Sequence, residues 1–429
     1  MSIKHPRFAA LMLAALAGAL EVRAQQPQMA ERRPLPASVT IEQAVGEAVA
    51  NNLNVLAERM NISIAEARII TAGLRPNPVL SLELDLPDRK LYDPDSDVYQ
   101  EAFRTDFPFE RGGKRERRIE VAEGARDVAR LNLLNTIRNL VLDVSSGAVD
   151  VLLAKENLAL AQENLKLFDE IVRINSARVE AGDLAPVELL RTRLAELQFG
   201  NAVLQAESRL KVARNRLQAL MGRKTLSDSF DLTGELRRDV PPALPEIRRQ
   251  ALAARPDLRA LARDQARSLA DIRLQLANRK VDYTVGAEYR REQAIAGNGN
   301  RMGVFFSVPI PLFNRNQGEI ERARGEREQI AARIQALEAQ IGNDVTNAWV
   351  QFQTASDLLH KIEGDMLKQA REVRGTTEYS YRRGEASLVE FLDAARAFND
   401  TVQSYNEARA EYARGLYLID SITGKEVNP

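Results

Sequence analysis

Residues 180–193, EAGDLAPVELLRTR, recur as RRGEASLVEFLDAA at 382–395: Gly182 matches Gly384, Glu188 matches Glu390 and Leu190 matches Leu392, each 202 positions on. Gly222 and Gly424 keep the same interval, and NLNVLAERMNISIAEARI at 52–69 resembles RPDLRALARDQARSLADI at 255–272. A chain of 429 residues that repeats itself at this spacing must fold as two copies of one unit. The copies span 40–222 and 244–425. Residues 223–243 form an inter-repeat linker or equatorial segment, 25–39 an N-terminal extension and 426–429 a short tail.

Each copy has the same coarse order. A helix opens at Thr40 and runs to about Leu74, and its counterpart runs from about Leu244 to Arg279. Two alternating segments come next, then stretches without proline from Lys114 to about Ala181 and from Asn316 to about Arg383. As continuous helices each would reach roughly 100 Å. No compact core needs such a helix, and a chain with 28% charged but only 5% aromatic residues suits long helices better than a mixed core. Returning helices are expected at about Pro186–Met221 and Leu388–Ile422. Leu190, Leu194, Leu197 and Leu204 are spaced 4, 3 and 7 apart. That spacing fits a coiled-coil seam or an ordinary amphipathic bundle stripe.

The alternating segments read as four strands, at about 78–87, 98–109, 281–292 and 301–313. Leu80, Leu82, Leu84 and Leu86 alternate with Ser81, Glu83 and Asp85; Val281, Tyr283, Val285, Ala287 and Tyr289 alternate with polar residues and Gly286. Met302, Val304, Phe306, Val308, Ile310 and Leu312 form a third apolar face. Strands of about ten residues suit a tilted membrane crossing or a soluble sheet packed on helices. Segments 78–109 and 281–313 hold 10 of the chain's 23 aromatics, which favours the membrane reading because rings gather at lipid interfaces. Four strands cannot close a barrel in lipid, so that reading requires several copies of the chain.

Residues 1–24 combine Lys4 and Arg7, an apolar run from Phe8 to Leu20 and a small-residue end at Ala24, the pattern of a cleaved secretory signal peptide. Without cysteine there is neither a disulfide framework nor a lipid-acceptor thiol. The whole chain has 60 basic and 60 acidic residues; removing Lys4, Arg7, Arg23 and Glu21 leaves a slight acidic excess, which argues against a nucleic-acid partner. Beyond the leader the only histidine is His360, and no phosphate loop or nucleophile elbow occurs. No cofactor, metal site or catalytic residue is expected.

The leader, the two repeats and the turns EAGDLAPVELL and YRRGEASLVEFLDA resemble the TolC family of outer-membrane efflux channels, across about 40–425. FERGGKRERR and VPIPLFNRNQGEI further resemble its CzcC-type heavy-metal efflux branch. The resemblance implies a mainly α fold with a small membrane β part: a homotrimer whose twelve-stranded β-barrel crosses the outer-membrane lipid and continues as a helical coiled-coil tunnel into the periplasm. It implies a passive conduit working with a periplasmic adaptor (membrane fusion) protein and an inner-membrane RND-type proton-driven pump. The same fold could serve drug, solvent or protein export. A soluble periplasmic coiled-coil scaffold would share the helices and need no barrel.

By the same resemblance the second-repeat turn lines the periplasmic constriction. Glu390 and Asp393 occupy the matching positions, with Tyr381 and Arg383 nearby and Glu188 in register in the first repeat. Being three apart, the two acids share a helix face, either as a cation-attracting ring or as ordinary solvated acids. Ala181, Gly182, Leu184, Gly384, Ala386 and Ser387 are adaptor-docking candidates. Asp183 either tunes adaptor choice or caps the returning helix.

Overall fold

The computed structural model describes residues 38–85, 99–294 and 297–425. The expected signal peptide, nearly all of the N-terminal extension, the ends of the first strand pair at 86–87 and 98, and the tail 426–429 lie outside the described residues.

The first repeat comprises β1 (Ser38–Val39), α1 (Ile41–Asn51), α2 (Leu53–Gly73), β2 (Val79–Asp85), β3 (Tyr99–Phe109), α3 (Lys114–Glu180) and α4 (Pro186–Leu220). After β4 (Asp231–Leu232) the second comprises α5 (Leu244–Ala254), α6 (Pro256–Asn278), β5 (Tyr283–Ala294), β6 (Gly297–Ser307), α7 (Gln317–Lys361), a π-helical turn (Ile362–Met366), α8 (Leu367–Arg383) and α9 (Leu388–Thr423).

Three expected elements differ from the structure. The opening helix of each repeat is broken in two. Asn52 turns extended and its side-chain oxygen accepts from the N–H groups of Asn54 and Val55, restarting the helix; in the second repeat Pro256 takes the first helical position after Arg255. The last strand ends at Ser307, short of 313, because Pro309 and Pro311 have no N–H to donate. The second long helix is interrupted by the π turn, whereas α3 runs unbroken for 67 residues, about 100 Å. Both long helices start from a left-handed residue, Gly113 or Asn316; Asn316 also donates its side-chain amide to the Gln275 carbonyl at 2.8 Å.

The four long strands form one antiparallel sheet in the order β2-β3-β5-β6. Its register stacks Leu82, Phe103, Tyr289 and Met302 in one row and Phe107, Val285 and Phe306 in another, so the apolar residues of all four strands share a face. That face is exposed, Met302 at 88% and Phe306 at 69%. The opposite face is polar and internally paired: Arg104 binds Asp106 at 3.0 Å, Arg290 binds Glu288 and Glu83, and the Arg104 guanidinium lies over the Phe305 ring. β2 and β6 are the two edges. Among the described residues no helix is long and apolar enough to cross a membrane.

Below the sheet, α3 packs on α4, α6 and α9, and α9 packs on α7 and α8. One core surrounds the middle of each long helix, Val144–Leu152 in the first repeat, joined there by Ala410, Ala413 and Tyr417 of α9, and Ile341–Phe352 in the second. The linker is bound to this waist. β4 pairs in parallel with β1, Phe230 and Leu232 are fully buried, and Lys155 and Arg214 both bind Asp231.

The leucine spacing on α4 does not mark its seam with α3. Leu190, Leu194, Leu197 and Leu204 are all exposed, and the residues α4 buries are Thr192, Ala195, Ala206, Leu210, Leu217 and Gln218. The four leucines lie on the opposite side of α4 from these buried residues.

Candidate functional site at the helical turns

α3 and α8 end in matching reversals. Gly182 (φ +81°) and Gly384 (φ +80°) are left-handed, a conformation strained for residues with a β-carbon. Asp183 N–H then donates to the Arg178 carbonyl at 2.8 Å and Glu385 N–H to the Ser380 carbonyl at 2.9 Å, closing both helices alike.

The helices that leave the two reversals start differently. Ser387 is the N-cap of α9: its Oγ accepts from Glu390 N–H at 3.3 Å, and the Glu390 carboxylate accepts from Ser387 N–H at 2.7 Å and from its hydroxyl at 2.9 Å. This is a capping box, and the S-x-x-E pattern of 387–390 could have disclosed it in the sequence. The Ser387 N–H, and then its hydroxyl, hold the Glu390 carboxyl below its usual range, so it stays ionised. In the first repeat Ala185 is the cap and makes no side-chain bond. Glu188 turns instead to Arg191, 3.0 Å away. Asp183 therefore does not cap α4; it lies two residues before the N-cap.

The remaining candidates separate. Asp393 is exposed and 3.9 Å from Arg396. The Arg383 guanidinium lies 4.5 Å over the Tyr379 ring. Tyr381 is only 5% exposed and stacks on Phe391 with ring centres 5.2 Å apart, inside a small core with Phe168 and Ile171. Ala181, Gly182, Gly384 and Ser387 are exposed at the turns, while Leu184 and Ala386 are half-buried. Glu390 and Asp393 thus reach solvent from α9, and Tyr381 contributes to the packing that holds the turns together.

Two residues that sequence reasoning missed organise this end. Asn175, fully buried on α3, donates its side-chain amide to the Tyr381 hydroxyl at 2.7 Å and to Thr192 Oγ1 at 2.8 Å, tying three helices together. Arg178 reaches the carbonyls of Tyr381, which also accepts from the Gly384 N–H, and of Arg382 in the last turn of α8. Higher up, Asn164 bonds Asn399 at 2.8 Å and Asn157 bonds Asn406 at 3.0 Å between α3 and α9. The signal was readable: Asn157, Asn164 and Asn175 stand 7 and 11 apart, close to whole helical turns.

Among the described residues no three His, Cys, Asp or Glu side chains come together as a metal site. His360 Nδ1 lies 2.7 Å from the Ser356 carbonyl of its own helix.

The family model described as outer membrane efflux protein matches residues 44–223 and again 247–425. The chain is 23% identical over 388 residues to the cobalt-zinc-cadmium resistance protein CzcC of Cupriavidus metallidurans, covering 90% of each. It is 22% identical over 405 residues to nodulation protein T of Rhizobium leguminosarum bv. trifolii, covering 90% of this chain and 85% of that one. In fold it is similar to the outer-membrane channel OprN, with a TM-score of 0.74 at 18% identity over 91% of both chains.

Proposed function

The chain belongs to the outer membrane efflux protein family, and from that premise we propose that three copies form a passive channel exporting divalent heavy-metal cations across the outer membrane. The twelve strands close a barrel in lipid, and the long helices continue it into the periplasm. An adaptor protein docks at the turns around Gly182 and Gly384, and an inner-membrane RND-type proton-driven pump supplies the energy. The leader of residues 1–24 directs export and is removed. Nothing in this role is enzymatic.

The observation that carries the reading is the sheet. Its exposed apolar face suits lipid, its ion-paired face suits a wet lumen, and its two edges cannot be left unpaired in a hydrocarbon layer. Metal as cargo rests on the similarity to CzcC. A conduit needs no tight metal site, since deep binding would slow release.

At the periplasmic end, Glu390 and Asp393 repeat about the three-fold axis as a negative constriction, with Arg383 and Glu188 beside it and Tyr381 supporting it. Planar-bilayer recordings of the doubly neutral Glu390→Gln/Asp393→Asn channel should show weaker cation preference; unchanged selectivity sinks the constriction. A deletion strain should become sensitive to zinc, cobalt or cadmium. Similarity to a nodulation protein keeps a second cargo class in view: normal metal tolerance with loss of another export would favour it. A protein that stays monomeric and soluble without detergent would instead be a periplasmic scaffold.

A further inference from the structure

We propose that the bases clustered where the strands become helices form a binding belt for anionic phospholipid, a reading that rests on the membrane channel proposed above. The chain as a whole is balanced, with 60 bases and 60 acids. Its four crossovers are not: residues 75–78, 110–116, 279–282 and 308–316 together hold seven bases against three acids, a net charge of +4 per chain. A polybasic stretch beside an apolar surface is what draws a protein onto anionic lipid.

Most of these bases have no acid to hold them. Asp282 is taken up by Lys114 at 2.7 Å and Glu110 by Arg118, which leaves Glu116 as the one carboxylate of the crossovers without an ion pair among the described residues. Arg75, Arg279 and Lys280 are exposed, and among the described residues their side chains make no hydrogen bond or ion pair. Arg111 is exposed and uses only its backbone N–H, which donates to Asp282 at 2.8 Å. Arg115 and Arg315 reach carbonyls alone, those of Gly73 and Pro311. The crossovers are also tied to one level. Arg115 and Arg118 join the start of α3 to the end of α2 through the Gly73 and Leu74 carbonyls, Asp282 joins it to the start of β5, and Asn316 joins α7 to α6 through Gln275. The Lys280 side chain lies over Gly112, 2.7 Å from where a β-carbon would be.

This belt borders the exposed apolar face of the sheet. Phe107 and Phe109, on that face of β3, are 47% and 45% exposed, and Ile310, Leu312 and Phe313 stand bare just before Arg315, Phe313 at 90%. Beside the start of α3 a cleft of about 610 Å³ is lined by Phe107, Phe109, Arg75 and Arg115. A phospholipid headgroup fits such a place: guanidinium groups give paired N–H donors to its phosphate oxygens, and its acyl chains continue over the apolar rings. Free phosphate would use the bases and leave the rings bare. A lipid of no net charge would use the rings and leave the bases uncompensated. The helices leave the sheet at this end, so in the proposed channel the belt lies in the periplasmic leaflet, where anionic phospholipid answers both needs.

Native mass spectrometry of the full-length channel in detergent tests this, with equimolar phosphatidylglycerol and phosphatidylcholine as probes. The trimer should retain phosphatidylglycerol in preference, and the preference should fall as salt rises. Arg75→Gln/Arg111→Gln/Arg279→Gln should lower phosphatidylglycerol retention by about tenfold, whereas Arg75→Lys/Arg111→Lys/Arg279→Lys, which keeps the charge, should retain it. Lys224→Gln/Arg248→Gln/Arg333→Gln, which removes three exposed bases away from the sheet, should leave retention unchanged. Equal retention of both lipids, a preference indifferent to salt, or equal loss in the two glutamine variants overturns the belt and leaves the trimeric channel standing. So does displacement of the lipid by inorganic phosphate at constant ionic strength, or a polypeptide held by these bases in place of lipid. If the glutamine variant does not assemble, the salt series on the unaltered protein decides. A single chain that needs no detergent and takes up neither lipid removes the channel and the belt together.

Discussion

The two repeats share their turns and differ in what stabilises them. The reversals at Gly182 and Gly384 close with the same hydrogen bonds, yet only the second leads into a capping box. At the waist the first repeat buries an ion pair, Arg223 with Glu47 at 2.7 Å, where the second has the exposed Lys425 and the half-buried Gln250. The second instead buries Arg255 against Asp257 and Asp344, where the first has Asn52, Asn54 and Val141. Duplication has kept backbone closure, which depends on glycine at fixed points, and has let charge pairing diverge.

The largest test of that difference is at the waist. Arg223→Ala leaves the Glu47 carboxylate buried without its bidentate partner and should cost about 3–5 kcal/mol. Lys425→Ala, at the matching position, should cost under about 0.5 kcal/mol. Urea midpoints of the detergent-solubilised channel compare them, and equal losses would erase the asymmetry. Next is Asn175→Ala, which removes a buried donor from both Tyr381 and Thr192 and should cost about 1–3 kcal/mol, seen as faster amide exchange around 378–384. Its counterpart Thr377, when changed to Ala, should have little effect there.

Ser387→Ala should loosen the first turn of α9 by about 1 kcal/mol, while Ala185→Ser, which supplies the missing half of the box opposite Glu188, should tighten the first turn of α4 by a similar amount. Exchange rates of the amides at 186–189 and 388–391 read both; a stabilising Ser at 185 would show that the first repeat lost only the cap. The smallest effect is on pH. Because Glu390 is held below its usual range, its contribution to the box is complete above the ordinary glutamate value and disappears as pH falls through the lowered one. Amide protection at Ser387 should therefore persist to below about pH 4.5, the unshifted value, and Glu390→Gln should remove the dependence. Loss of protection already above about pH 5 would contradict this.

Much of the fold could be read from residue pattern alone. Alternation gave the strand faces because a side chain can point only two ways from a strand, and Leu82, Phe103, Tyr289 and Met302 fall in one row as their parity requires. Partners were harder. The spacing of Leu190, Leu194, Leu197 and Leu204 says that a helix face is apolar, but the face of α4 that packs in the chain is the opposite one. Tyr381 looked like a tunnel residue by its place beside the turn, and only packing reveals that Phe391 and Asn175 enclose it. The breaks at Asn52 and Arg255 were legible, since Asn favours caps and Pro256 favours the first helical position. The π turn at 362–366 had no local signal beyond Gly364.

That turn breaks the likeness of the two repeats. A π turn holds an extra residue, so everything after it is rotated by about 100° relative to an uninterrupted helix. Val373 aligns in sequence with Ile171, yet Ile171 is fully buried and Val373 is exposed. A freshly duplicated chain has two nearly interchangeable sides and no rule for which should meet which. A π turn present in one copy and absent from the other makes the two sides of the chain unlike.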